Sequence, residues 1–233
     1  MQSTTRSTAA LDAIRDYLEA QNLEAETEGR RKIMQAVLAV AVGKGISGVT
    51  MRGIAKEVDI KAGSLYSHFE GGKDELIGET LRWNYNEFFL SILRALPEGG
   101  TPEEQLRGVV RGHIDFQLSS SWQNLFETLI AADRAGNFLS EATREQVRRR
   151  RELYLNYVRA IVTEIEGDGF DTARAWGVIN FLNEAITLAG HVPSGTKREE
   201  LDQFAFNVCM AIAKSQPHSP SGNDGAKLNG ARR

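Results

Sequence analysis

From Ile33 onward the apolar positions of the chain recur with a helical period. Ile33, Met34, Val37, Leu38, Val40 and Ala41 fall at i, i+3, i+4 and i+7 and stop at Gly43-Lys44-Gly45, a helix-ending signal. Ile46 to Val49 is too short for an element and reads as a linker. Thr50 can cap a short second helix over 51–58. Asp59 stands where the chain must turn, and aspartate tolerates the left-handed conformation better than most residues. A third short helix is expected from about Lys61 to Phe69, broken by Gly71-Gly72. A long fourth helix follows from Asp74 to about Leu96, ended by Pro97 and Gly99-Gly100.

Thr101-Pro102-Glu103-Glu104 opens the next helix with a cap, a proline at the first position and acids in the first turn. It should reach Gln117 or Leu118. Further helices are expected over 121–133, 140–165, 171–188 and 196–214, each bounded by Ser, Thr, Asp, Gly or Pro. Leu11, Ile14 and Leu18 mark an extra amphipathic helix within 8–25. From Gln216 the chain holds one large apolar residue, Leu228, too few to offset the entropy of ordering, so 216–233 reads as a disordered tail. The pattern contains neither strands nor a repeat. It predicts an all-α chain of about nine helices plus the N-terminal one.

Composition narrows the class of function. Of 233 residues, 41% are hydrophobic and 25% charged, which excludes collagen, coiled-coil fibre and wholesale disorder. No apolar run approaches the roughly 18 residues that span a bilayer, and the polar start does not resemble a secretory signal. A single cysteine, Cys209, forbids an intrachain disulfide and suits a reducing cytoplasm. His68, His113, His191 and His218 show no metal-ligand spacing, and there is no HExxH, GxSxG, CxxC or glycine-rich phosphate loop. Neither an enzyme nor a metal or cofactor is expected. Cys209 lies in an apolar helix and reads as a small buried hydrophobe.

The net charge of −3 conceals an asymmetry. Residues 29–73 carry eight basic and three acidic side chains, whereas the segments on either side are both acidic. A basic module on an acidic body suits a polyanion partner; a solvated charge cluster is the plainer alternative. Two short helices joined by a tight turn form a helix-turn-helix, whose second helix enters the major groove of duplex DNA.

The segment 50–69, TMRGIAKEVDIKAGSLYSHF, resembles the DNA-binding signature of the TetR family of bacterial transcriptional regulators. The resemblance rests on Thr50, Ile54-Ala55, Ile60, Gly63, Leu65-Tyr66 and His68-Phe69, followed by Lys73 and Leu76. It implies a three-helix DNA-binding domain over 29–73, a helical ligand-binding and dimerisation domain over 74–215, and an N-terminal extension over 1–28. Ile54, Ala55, Ile60, Leu65 and Phe69 are spaced to close a small core with the first helix. Thr50, Arg52, Lys61, Ala62, Gly63, Ser64, Tyr66, Ser67, His68 and Lys73 are the candidate DNA contacts. The cations and hydroxyls suit phosphate, Ser64 and Ser67 could also reach base edges, and Gly63 permits close approach.

Three features depart from the family pattern. Lys61 stands where Ser or Thr usually caps the recognition helix. Gly53 sits inside the second helix at a cost of roughly 1 kcal/mol against alanine. Three residues, rather than two, separate Phe69 from Lys73.

In the body, polar residues within apolar faces are the effector candidates: His113, Asn180 and Asn183, with Trp122 and Phe126 walling a cavity. Arg148, in the run Arg148 to Arg151, could hold an anionic headgroup such as that of an acyl-CoA, although pairing with Glu141, Glu145 and Glu152 on a solvated face is the plainer reading. The resemblance implies a homodimer through 171–189 and 196–214, double-stranded operator DNA and a small-molecule effector as partners. Two functions follow: a ligand-responsive regulator, expected to be a repressor, or a ligand-independent architectural or interaction protein built on the same helix-turn-helix.

Overall fold

The computed structural model describes residues 5–21, 27–119, 133, 139–189 and 196–216. Within them the chain forms nine α-helices and no strand. These are α1 (Arg6–Glu19), α2 (Glu28–Lys44), α3 (Met51–Glu57), α4 (Ala62–His68), α5 (Gly72–Ala95), α6 (Pro102–Ser119), α7 (Glu141–Glu166), α8 (Asp171–Ala189) and α9 (Thr196–Ala213). The expected helix over 121–133 and the expected disordered tail lie outside the described residues, apart from Asp133 and Gln216.

Local chemistry sets most boundaries. Thr5, Thr27, Thr50 and Ser140 each accept an N-terminal amide of the helix that follows. Thr101 and Glu104 form a reciprocal capping box, with Glu104 N–H donating to Thr101 Oγ1 at 3.2 Å and Thr101 N–H to Glu104 Oε2 at 2.8 Å. Asp59 adopts φ 55°, the left-handed turn its residue type favours. Helix α5 begins at Gly72, two residues ahead of the expected Asp74, so Lys73 sits inside its first turn.

Helices α2, α3 and α4 enclose Met34, Leu38, Val49, Ile54, Leu65 and Phe69, all fully buried. Helix α5 packs on α2 and runs on into the body, where it lies against α6 and α7. The approach of α6 to α5 is unusually close. A Cβ at Gly112 would stand 2.7 Å from Ile92 Cα and 2.8 Å from the Ser91 carbonyl oxygen, and one at Gly108 would stand 3.0 Å from the Ala95 carbonyl oxygen. Glycines one helical turn apart therefore let two backbones touch.

The N-terminal helix belongs to the body. Helix α1 lies along α7 and buries Ile14, Tyr17 and Leu18 there. Its first turn is tied by Ser7, whose N–H and hydroxyl both donate to Glu164, each at 2.7 Å. Tyr17 is tied from within: Arg150 Nε donates to the Tyr17 hydroxyl at 2.7 Å, and that hydroxyl donates to Asn86 Oδ1 at 3.2 Å. Among the described residues no helix is long and apolar enough to cross a membrane.

Candidate nucleic-acid interface and effector core

Helix α3, the turn 58–61 and helix α4 make the helix-turn-helix. Burial of Ile54, Ala55, Leu65 and Phe69 fixes which faces remain outside. Thr50 Oγ1 accepts from Gly53 N–H at 3.0 Å, which leaves the hydroxyl proton free to meet a phosphate. This cap also accounts for Gly53: a Cβ there would lie 2.8 Å from Thr50 Oγ1. The expected simple propensity cost of that glycine is thus corrected, because alanine would crowd the cap.

The outer face of α4 is open. Gly63, Ser64, Tyr66, Ser67 and His68 are exposed, Ala62 is half-buried, and nothing lies within 4 Å of a Cβ built on Gly63. The Ser67 hydroxyl donates to the Ser64 carbonyl at 2.7 Å, which turns its lone pairs outward. Lys61 begins α4 without a side-chain cap. Among the described residues Arg52, Lys56 and Lys61 are exposed and hold no carboxylate. Lys73 reaches from α5 to the Ile46 carbonyl at 3.5 Å, so its exposed ammonium stays at the rim of this face. The structure gathers all ten sequence candidates on or beside the helix-turn-helix.

One basic residue of this unit has a different task. Arg30, on α2, donates to the His68 carbonyl at the end of α4, covers the Phe69 ring at 4.4 Å and pairs with Glu79 of α5 at 3.5 Å. A guanidinium at the carbonyl end of a helix complements its dipole. Arg30 therefore joins three helices, a role invisible in its plain membership of a basic cluster.

In the body, α5, α6 and α7 assemble an aromatic group. The Phe88 ring meets Tyr154 at 4.8 Å, His113 at 5.1 Å and Phe116 at 5.2 Å, all edge to face. His113 Nδ1 shares a hydrogen bond with the Tyr154 hydroxyl at 3.0 Å. Burial pushes His113 down to about 4, with the Asn183 side chain opposing more weakly, so the imidazole is neutral at pH 7. Burial likewise holds the Tyr154 phenol well above its ordinary range and the Cys209 thiol up at about 12. Gln117 Nε2 donates to the Leu182 and Asn183 carbonyls at 3.1 and 3.0 Å, while its buried Oε1 has no partner among the described residues.

The other effector candidates separate. Asn183 is half-buried beside His113, but Asn180 is exposed. Arg148 is exposed and pairs with Glu141 at 2.9 Å and with Glu145, so it stands on the solvated face. Trp122 and Phe126 lie outside the described residues. Arg150, two positions from Arg148 in the same basic run, is buried, which the run itself does not signal.

His113 gives a pH test. Its folded value lies below that of an unfolded histidine, so its contribution is complete above about pH 6.5 and declines as pH falls toward 4. The loss over that window should total roughly 3 kcal/mol. Urea midpoints measured at pH 7 and 4.5 should show this decline in the parent and a shallower one in His113→Gln. Equal slopes would mean that the imidazole is charged in the fold.

Residues 33–80 match the family described as bacterial regulatory proteins, tetR family. The chain is 34% identical over 87 residues to the transcriptional repressor KstR of Mycolicibacterium smegmatis, covering 37% of this chain and 42% of that one. It thus spans about two-fifths of that repressor's length. It is 25% identical over 200 residues to the transcriptional regulator BetI 1 of Chromohalobacter salexigens, covering 82% of this chain and 94% of that one. The fold is shared with AibR, solved with isovaleryl coenzyme A and operator DNA, at a TM-score of 0.62 and 16% identity over 78% of this chain and 97% of that one.

Proposed function

From its membership of the tetR family of bacterial regulatory proteins, we propose that this chain is a cytoplasmic, homodimeric repressor that leaves its operator when a small hydrophobic or acyl-CoA-type effector enters the body. The observation that carries this reading is the open, cation-flanked face of α4 on a rigidly buried scaffold. In this reading Gly63, Ser64 and Ser67 meet the major groove, and Thr50, Arg52, Lys61, Tyr66, His68 and Lys73 meet phosphates on either side; their exposure supports it.

One helix-turn-helix reads one half-site, so a second copy is required for a full operator. Helices α8 and α9 supply its surface. Leu182 and Leu201 are buried within the chain, but Phe204 stands 55% exposed beside Val208, Ala211 and Ile212. The effector signal would pass along α5, which touches the aromatic group at Phe88 and the recognition helix through the Glu79–Arg30–His68 tie. Support for an acyl-CoA effector comes from AibR, which binds isovaleryl coenzyme A.

The test is fluorescence anisotropy with duplex DNA flanking the protein's own gene, with and without acyl-CoAs and small hydrophobic compounds, their free acids included. Binding should fall steeply between 50 and 200 mM salt, because each subunit neutralises several phosphates. Tyr66→Ala or Lys73→Ala should each weaken it about 5- to 30-fold while leaving helicity intact. A flat salt response, or unchanged affinity in both variants, would remove this face as the interface. Binding that no effector alters would favour the ligand-independent architectural reading.

A further inference from the structure

Arg150 is a buried cation without an anion. It is 3% exposed and among the described residues forms no ion pair; Nε meets the Tyr17 hydroxyl at 2.7 Å, one terminal nitrogen meets the Gln146 Oε1 at 3.2 Å, and the other has no hydrogen-bond partner there. Taking a guanidinium out of water without a counter-charge is strongly unfavourable, so a fold that keeps one has a use for it. Arg174 makes the contrast. It too is buried with one unpartnered nitrogen, but its Nε donates to the Ser215 carbonyl at 2.7 Å, at the negative end of α9. Arg150 lies in the middle of α7, and among the described residues its printed hydrogen bonds go to side chains and to no carbonyl of the backbone.

Its neighbours give the rest of the site. Arg150 and Tyr154 are one turn apart and both buried, which puts the cation on the same side of α7 as the residue that meets Phe88 and His113. The Tyr17 ring, bonded to Arg150, meets Phe89 edge to face at 5.8 Å. A cation with unused donors thus stands against a bed of rings, inside the helices that would have to respond to an effector.

We propose that Arg150 is the anchor for the carboxylate of a small, largely apolar organic acid, and that such acids are the effectors of this protein. The inference rests on the body being the effector domain. It disfavours cationic effectors, which would meet an uncompensated positive charge. It also separates the free acid from a coenzyme A thioester. One buried guanidinium suits one carboxylate, whereas the several phosphates of coenzyme A need a cluster of exposed cations rather than a single buried one.

The experiment is thermal unfolding of the full chain, without DNA, in millimolar hexanoate, octanoate, phenylacetate or 3-phenylpropionate. The matching primary amides and coenzyme A thioesters are the controls. A ligand that binds only the folded state raises Tm by mass action. At least one carboxylate should raise Tm by several degrees while its amide and thioester do not. Arg150→Gln should weaken that carboxylate about 10- to 100-fold. Arg150→Met should lose it equally without lowering the Tm of the free protein, as the loss of a merely structural arginine would. Tyr17→Phe, which frees Nε, should retain the carboxylate response. Equal response to acid and amide, response to thioesters alone, no response at all, or an unfolded Arg150→Met would each overturn the proposal. Since no DNA is present, such a failure leaves the regulator reading to the anisotropy assay.

Discussion

Gly112→Val is expected to destabilise the protein by at least about 3 kcal/mol, enough to remove much of the stability of an ordinary domain. The cause is backbone against backbone. A Cβ on Gly112 would meet Ile92 Cα at 2.7 Å and the Ser91 carbonyl at 2.8 Å, and neither can rotate away as a side-chain tip can. The two helices would have to separate, breaking the hydrogen bond from Ser91 Oγ to the Gly112 carbonyl and opening the packing around Ile92 and Val109. Even Gly112→Ala should be destabilising, against the roughly 1 kcal/mol by which alanine improves a helix. Gly43→Ala supplies the control, since nothing lies within 4 Å of its Cβ and it should gain stability. Urea unfolding followed by circular dichroism measures all three. A Gly112→Ala protein as stable as its parent would show that α5 and α6 do not touch in this way.

Gly63→Glu should abolish DNA binding and leave the fold at least as stable. The position is in the first turn of α4, exposed and open on all sides, so the side chain meets no obstruction. Glutamate is the better helix former, and a carboxylate near a helix N-terminus is favourable, so a gain of about 1 kcal/mol is expected. On the DNA the same carboxylate would face phosphates and base edges, where like charge costs several kcal/mol, or at least about 100-fold in affinity. The paired measurement is Tm and anisotropy on one preparation. Retained affinity would mean that this face of α4 does not meet the duplex, whereas a lowered Tm would mean that the site is not open.

The DNA-binding unit was legible in the sequence because its information is local. Thr50 caps, Asp59 turns left-handed, and Ile54, Leu65 and Phe69 are buried at helical spacing, each within a few residues of the feature it sets. The body was legible only as a series of helices. Asn180 and Asn183 share an apparent polar stripe, but one is exposed and the other turns toward His113, a distinction set by where α6 packs. Four consecutive arginines read as a solvated run, yet a helix rotates each by about 100°, and one of them must point inward if α7 is covered on that side. What covers it is α1, 133 residues away in sequence between Tyr17 and Arg150. No periodicity encodes a contact at such a distance. Nor did the sequence mark Arg30 out from its basic neighbours, since its partners, the His68 carbonyl and Glu79, are defined only once three helices meet.

The docking of α1 on α7 has a consequence for how the protein is made. Translation delivers Tyr17 long before Arg150, and at about 5–20 residues per second the interval is roughly 7–27 s. For all that time Ile14, Tyr17 and Leu18 lack the α7 side of their bed, with only α5 to meet Tyr17, although the unit formed by α2 to α4 can already close around its own core. The nascent chain therefore leaves part of an apolar leading strip exposed until α7 emerges, and chaperone demand during biosynthesis should be set there rather than by the domain that is finished first.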